Sequence, residues 1–389
     1  MCIRDRRTPS TGIVETDAKK GLVKYAKPAG VIASLIPMTN PAMTPPVTGV
    51  SSANARNAVI FSPHPRTAAT TCEMSRIMRA ACHAVGAPED LFQCIERPSI
   101  PMTQYLMESC DLTLATGGKP MVQAAYSSGK PAYGVGAGNS TIVVDETADL
   151  NEAAKNIMIS KTSDFGSGCS ADGNIVIQKS IYSNMVSELQ ANNGYLCNSA
   201  EKELLSRAMW DNKENRTFST IACKPQQLAL VAGFEIPENI KFLMVENNGQ
   251  IGKEHKFSKE KLTTLMALYY FEEFPDALNI IQKIYEVGGK GHSCGIYSSS
   301  DKNIDALARV APVSRMMVRQ PQSKSNAGSW TNGMPMTSSL GCGIWGGNIT
   351  NENVTMKHMM NYTWVSKPIQ EDRPSERELF GEFFGQEVA

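Results

Sequence analysis

Cys169 stands in Phe-Gly-Ser-Gly-Cys-Ser-Ala-Asp-Gly, a run of small residues between a helical segment and an apolar strand. A thiol on such a loop has the exposure and approach room that a nucleophile needs. Titration below the ~8.5 of an ordinary cysteine is the expected mark of a thiol that reacts as thiolate. The other nine cysteines lack that setting and are expected to be reduced thiols, mostly small core residues. Gly134-Val135-Gly136-Ala137-Gly138-Asn139 is a second feature. Glycines at a strand end let backbone approach a ligand closely. This G-x-G-x-G is not the dinucleotide fingerprint G-x-G-x-x-G, and no helix opens on it, so a tight structural turn is an equal reading. His292, in Gly-Lys-Gly-His-Ser-Cys-Gly, could act on a thiol or a substrate, or be a hydrogen-bonded structural histidine. Trp330 and Trp345 either wall a substrate pocket or belong to the core. The ten cysteines and five histidines form no C-x-x-C pair, no H-E-x-x-H and no cluster at zinc spacing, so no metal site is expected.

Length and composition bound what can hold these residues. A chain of 389 residues suggests two domains. Apolar residues make up 42% and charged residues 20%, an ordinary globular balance that excludes fibrous and disordered classes. Lys+Arg and Asp+Glu each number 38, for a formal charge of +0. With no basic excess, nucleic acid and anionic membrane surfaces are poor partners. No apolar run reaches the ~18 residues that cross a bilayer, and no secretory segment is visible, which points to the cytoplasm.

Alternating elements supply the frame. Val31 to Ile36 reads as a buried strand between Gly30 and the turn-forming Thr-Asn-Pro. A helix over 45–56, the strand in Asn-Ala-Val-Ile-Phe-Ser-Pro and a helix over 66–85 follow. Short strands at DLFQCI, DLTLATGG, PAYGVG and TIVVD are separated by helices over 102–109 and 121–127. A helix over 149–161 leads to the Cys169 loop and the strand NIVIQ. Strands at KFLMVE, TLMALYYF and CGIYSS, with helices near 180–192, 199–210 and 276–287, make a second α/β unit. This alternation argues for parallel sheets with helices on their faces. A Gly-, Ser- and Asn-rich stretch over 320–350 precedes a last apolar strand, NYTWVSKPI, and a charged tail.

Taken together, YAKPAGVI, PMTNP, RNAVIFSPHPR, LATGGKPMVQAAYSSGKPAYGVGAGN, the Cys169 loop and LGCGIWGGN resemble the aldehyde dehydrogenase superfamily, and more narrowly its CoA-acylating branch. The resemblance runs from about residue 21 to 369. It implies an α/β fold with a parallel-sheet, Rossmann-type cofactor domain over 21–136, a catalytic domain over 137–345, and an oligomerisation strand and tail over 346–389. Residues 1–20 are expected to be an artefact-like, unstructured start that replaces a helical segment found in the family. Cys169 matches the nucleophile, and Asn40 the amide that cradles an oxyanion. Ser62, Pro63 and His64 match the strand end beside the adenosine ribose. Thr116, Gly117 and Gly118 match the turn beside the nicotinamide, and Gly136 is a further candidate for cofactor binding. Glu260 matches the carboxylate on the nicotinamide ribose, without its usual following proline. The implied cofactor is NAD or NADP, with a small aldehyde and coenzyme A as substrates and a homodimer or homotetramer as the assembly.

One departure carries chemistry. Hydrolytic relatives place a water-activating glutamate where this chain has Val135, 34 positions ahead of Cys169. Valine cannot take a proton, so a thioester on Cys169 should last until a thiol collects it. The C-terminal segments look closer to sulfoacetaldehyde dehydrogenases than to acetaldehyde enzymes. A sulfonate calls for cations or several donors, and Arg315, Arg319 and Lys324 are the candidates, with Val135 and His292 beside the substrate. The competing readings are an acetaldehyde enzyme, an acyl-phosphate reductase and a non-catalytic subunit of the same fold.

Overall fold

The computed structural model describes residues 8–383. A hairpin of β1 (Gly12–Asp17) and β2 (Leu22–Pro28) comes first, then β3 (Val31–Ile36), α1 (Thr44–Asn54), β4 (Ala58–Pro63) and α2 (Ala68–His83). β5 (Phe92–Cys94), α3 (Ile100–Ser109), β6 (Leu112–Thr116), α4 (Lys119–Tyr126) and β7 (Ala132–Val135) complete the first α/β half. The second half holds β8 (Thr141–Val144), α5 (Leu150–Thr162), β9 (Asn174–Gln178), β10 (Gly194–Leu196), β11 (Phe242–Glu246), β12 (Leu265–Phe271), β13 (Cys294–Tyr297) and β14 (Met316–Val318). β15 (Met360–Ser366) follows near the C-terminus.

Three sheets result. The first half forms a five-stranded parallel sheet of order β5-β4-β3-β6-β7. Strand order reverses between β3 and β6, the switch point at whose carboxyl ends open α/β sheets bind ligands. The second half forms a seven-stranded parallel sheet of order β10-β11-β12-β9-β8-β13-β14. Its strands are apolar on both faces, as β12 shows with six of its seven residues buried. On one face pack Ala277, Ile281 and Ile284 of the helix Phe274–Val287; on the other pack Ala153, Ala154 and Ile157 of α5. Each large apolar side chain so buried contributes about 1.5–3 kcal/mol.

The third sheet, β1-β2-β15, corrects two expectations. Residues 12–17 form β1 instead of an unstructured start, because pairing with β2 supplies the ladder that their exposed, charge-bearing sequence does not announce. Residues 1–7 lie outside the described residues. β2 falls in the stretch expected to belong to the cofactor domain, yet it leaves that sheet and pairs antiparallel with β15, from Met360↔Pro28 to Ser366↔Leu22. The uniform expectation of reduced thiols also fails, since Cys72 of α2 is joined to Cys94 of β5 in a disulfide. These two residues are brought together because α2 packs along the edge strand. Among the described residues, no helix is long and apolar enough to cross a membrane.

The direction of the two parallel sheets places the site. β7 ends at Val135 and β8 begins at Thr141, so the short link 136–140 joins the carboxyl edge of one sheet to the amino edge of the other. The segments before β9, β12 and β13 reach that same amino edge. They carry Cys169, Glu260 and His292.

Candidate active site

A cavity of about 350 Å³ lies between the two edges. From the five-stranded side come Asn40 after β3, His64 after β4, Thr116 at the end of β6, and Gly117 and Gly118 just beyond it. Gly136, Cys169 and Glu260 line it from the other side. Eight of the sequence-derived site residues therefore meet in one space, although they span more than half the chain. Ser62 and Pro63 do not reach it: both are buried at the end of β4, where the Ser62 hydroxyl is 2.9 Å from that of Thr103. Val135 is also buried, as the last residue of β7, and leaves the cavity wall to the backbone of Gly136.

Local sequence explains how Cys169 is presented. After α5 the chain turns through Asp164 (φ 48°), Phe165 (φ 51°) and Gly166 (φ 69°), three successive left-handed residues. Non-glycine residues there cost of order 1–3 kcal/mol each, and such strain gathers where a loop is held for function. The glycine-rich link packs beneath. A Cβ on Gly138 would stand 1.9 Å from the Cys169 carbonyl oxygen, so only glycine lets that backbone lie against the Cys169 loop. The link is thus chiefly a structural turn, and only its Gly136 and Ala137 face the cavity.

His292 supplies the contact that the sequence left open. Its Nε2 is 3.0 Å from the Cys169 sulfur, and its Nδ1 is 2.9 Å from the Ser293 hydroxyl. The ring is fully buried. Behind it, Arg315 donates from Nη1 to the His292 carbonyl (3.1 Å) and from Nη2 to the carbonyls of Gly341 (2.6 Å) and Asn351 (3.1 Å). Arg315 is therefore a buried strut and not a group facing a ligand. Arg319 pairs at the surface with Glu152 at 2.8 Å, and neither it nor Lys324 lines the cavity.

Burial governs the electrostatics. It pushes the Cys169 thiol up to about 12, reinforced by Glu260 and Cys342 and opposed by Arg315. Burial and then the Arg315 charge push His292 down to about 3. Both partners rest neutral, contrary to the low-titrating thiol expected of a reactive cysteine. The loop gives Cys169 access, but the wall behind it is dry. Glu260 is pushed up to about 8 by burial, against the Gly138 N–H and the charges of Lys161, Arg216 and Lys261. Its Oε1 is shielded and has no hydrogen-bond partner among the described residues. An orphaned carboxyl oxygen on the cavity wall fits a ribose hydroxyl, which would donate to it.

Sequence reasoning missed several lining residues, among them Thr39, Met121, Ser167 and Ser338. No spacing pattern marks them. A second groove of about 600 Å³ shares Gly136 and Ala137 with the Cys169 cavity and is lined by Lys119, Lys290 and Trp345. Trp345 thus walls this groove and not the Cys169 cavity, whereas Trp330 is an exposed residue on neither. Among the described residues no cluster could hold a metal ion.

The chain belongs to the aldehyde dehydrogenase family, whose profile matches residues 4–198. Within that family it is an acylating enzyme, an oxidoreductase acting on aldehydes. It is 42% identical to a sulfoacetaldehyde dehydrogenase from Acholeplasma sp over 96% of this chain and 78% of that protein. It is 39% identical to a sulfoacetaldehyde dehydrogenase (acylating) from Bilophila wadsworthia over 96% of this chain and 82% of that one. The crystal structure of an acetylating aldehyde dehydrogenase from Geobacillus thermoglucosidasius superimposes with a TM-score of 0.91 at 37% identity, covering 96% of this chain and 82% of that one. A propionaldehyde dehydrogenase from Rhodopseudomonas palustris, solved with bound propionyl-CoA, superimposes with a TM-score of 0.81 at 25% identity, covering 92% and 78%.

Proposed function

We propose that the protein oxidises sulfoacetaldehyde to its acyl-CoA, using NAD or NADP as hydride acceptor and coenzyme A as acyl acceptor. The observation that carries the chemistry is a cysteine sulfur on a cavity wall, 3.0 Å from a buried imidazole; the sequence resemblance adds that Val135 replaces the water-activating acid of hydrolytic relatives. The five-stranded half holds the cofactor through His64, Thr116, Gly117 and Gly118, and Glu260 meets it from the other side of the cavity. Ser62 and Pro63 shape that strand end from beneath. When bound, the oxidised nicotinamide would supply the acceptor for the hydride.

The resting thiol is protonated, so its proton passes to His292 as the sulfur attacks the aldehyde carbon. A separate thiolate–imidazolium pair would be unfavourable in this buried setting. Asn40 and the backbone N–H of Cys169 stabilise the oxyanion that forms. Loss of hydride leaves a thioester on Cys169, and the proton on His292 departs to solvent. Val135 cannot activate water, and the thioester persists. The thiol of coenzyme A then attacks it, His292 accepts the thiol proton and returns it to the departing Cys169 sulfur, and acyl-CoA leaves.

The two relatives named for sulfoacetaldehyde support the choice of aldehyde. Lys119 and Lys290, in the groove that adjoins the cavity, are the cations suited to a sulfonate, in place of Arg315, Arg319 and Lys324. Lys290 also pairs with Glu286 at 2.5 Å. The test is cofactor reduction with a panel of aldehydes, with and without coenzyme A. The kcat/KM for sulfoacetaldehyde should exceed that for acetaldehyde by at least ~10-fold, about 1.4 kcal/mol of differential transition-state binding. Equal or reversed values would return the protein to acetaldehyde oxidation.

A homodimer or homotetramer built on the β1-β2-β15 sheet is part of this reading. β15 lies at the sheet edge and exposes Trp364 (52%) and Val365 (39%), an apolar edge of the kind that pairs between chains. A monomer at micromolar concentration by light scattering would contradict it.

A further inference from the structure

We infer that Asp172, Gln322, Ser140 and Ser293 are positioning residues that fix the tautomer of His292, holding its Nε2 bare toward Cys169. The inference rests on the reading of Cys169 as nucleophile and adds what makes its neighbour a base and not a donor.

The residues meet because three strands run side by side. β8 lies between β9 and β13, with Thr141 opposite both Asn174 and Cys294. Ser140 and Ser293 each stand one residue before those positions, and Asp172 two before its own. Gln322, which opens the short helix Gln322–Ser325, fills the space behind them. All four side chains are buried, at 0–1% exposure.

Their hydrogen bonds have one consistent direction. Gln322 Nε2 faces the Asp172 Oδ1 carboxylate oxygen at 2.9 Å and the Thr141 carbonyl at 3.4 Å. Both are acceptors, so the amide nitrogen must point there and Oε1 must point away. Oε1 accepts from the Ser140 hydroxyl at 2.8 Å. A hydroxyl has a single proton, and that of Ser140 is now placed. At the 3.3 Å contact between Ser140 and Ser293, Ser140 can then only accept, so the two contacts of Ser293 are both hydrogen bonds only when Ser293 donates to Ser140 and accepts from Nδ1 at 2.9 Å, the arrangement we infer. Nδ1 consequently carries the ring proton of the neutral imidazole, and Nε2 is left with a lone pair 3.0 Å from the Cys169 sulfur. The thiol donates, and His292 is the acceptor.

The direction survives protonation of the acid. Burial raises Asp172 to about 7, opposed by Ser160, Lys161 and Gln322. A proton placed on its Oδ2, which makes no close hydrogen bond among the described residues, would leave the Gln322 contact at Oδ1 unchanged. Oδ1 remains an acceptor for the Gln322 amide in either state. An isolated imidazole would divide its proton between the two nitrogens, and one of those forms presents N–H to the thiol and cannot accept from it.

The tautomer can be read directly by nitrogen-15 NMR of ring-labelled histidine in the full-length protein, with His292 assigned from its loss in His292→Gln. The expected spectrum has a protonated, pyrrole-type Nδ1 and a bare, pyridine-type Nε2. A proton on Nε2 overturns the inference. This measurement needs neither substrate nor coenzyme A, so it stands or falls separately from the proposed reaction. A kinetic arm sharpens it. Ser140→Ala should mix the tautomers and slow the first-turnover formation of reduced cofactor by at least ~10-fold, the scale carried by partners that orient an active-site imidazole. The cofactor KM should change by no more than about twofold, a split that general loosening of the fold would not produce. Ser140→Thr, which keeps the hydroxyl, should restore both the spectrum and most of the rate. An unchanged spectrum and rate in Ser140→Ala would overturn the relay, as would a Ser140→Thr variant as slow as the alanine.

Discussion

The two sides of Cys169 differ in what they offer an incoming molecule. On the open side, Asn40, Thr116 and the glycines after β6 present backbone and short polar groups to a cavity large enough for a cofactor ring and a small aldehyde. On the closed side, His292, Arg315, Ser293, Ser140 and Gln322 are buried and bonded to one another or to backbone carbonyls. Binding groups can be read along the chain because each follows a strand of one sheet. The closed side is assembled from the amino ends of three neighbouring strands and a distant short helix. On the proposed reading, chemistry at the Cys169 sulfur would draw on an access wall supplied by one half of the molecule and a proton-handling wall supplied by the other.

Breaking the open side should have the larger effect. Asn40→Ala removes one oxyanion donor and should lower kcat by about 10²–10³, or ~2.7–4 kcal/mol, measured as steady-state cofactor reduction. A variant within twofold of the parent would leave Asn40 without that role. The closed side makes a gentler, pH-dependent prediction. With the Cys169 thiol pushed up to about 12, its alkylation by iodoacetamide in the unliganded enzyme should climb through pH 7–10 without levelling off. The sign follows from the acid form being favoured by burial: lowering pH only deepens protection, and raising it exposes thiolate. A plateau near pH 8 would mean that the wall behind Cys169 is wetter or more cationic than its packing shows.

How much of this was legible in the sequence follows the same division. β3, β4, β6, β8 and β9 were readable because each is a short apolar run bounded by turn residues. The Cys169 loop stood out by its small residues. β10 and β14, at three residues each, are too short to show a period and exist through pairing with β11 and β13. The helix Asp301–Val310 was missed despite its Ser300 cap, and Pro225–Ala232 despite a leading proline and the left-handed Gly233 that ends it. The His292 contact was a different case: residues 169 and 292 come together only through the strand order β9-β8-β13, which no local pattern encodes. The same holds for Gln322, and for Arg315, whose charge suggested a ligand until its partners proved to be three carbonyl oxygens.

The central claim is that Cys169 carries the acyl group and that a thiol, not water, removes it. Intact-protein mass spectrometry after mixing enzyme with sulfoacetaldehyde and oxidised cofactor, without coenzyme A, tests it most directly. The predicted result is a single acyl adduct that maps to Cys169, persists for many turnover times, disappears on adding coenzyme A with equimolar acyl-CoA released, and never forms in Cys169→Ala. An adduct on another residue, or one that decays to free acid as fast without coenzyme A as with it, would contradict the mechanism.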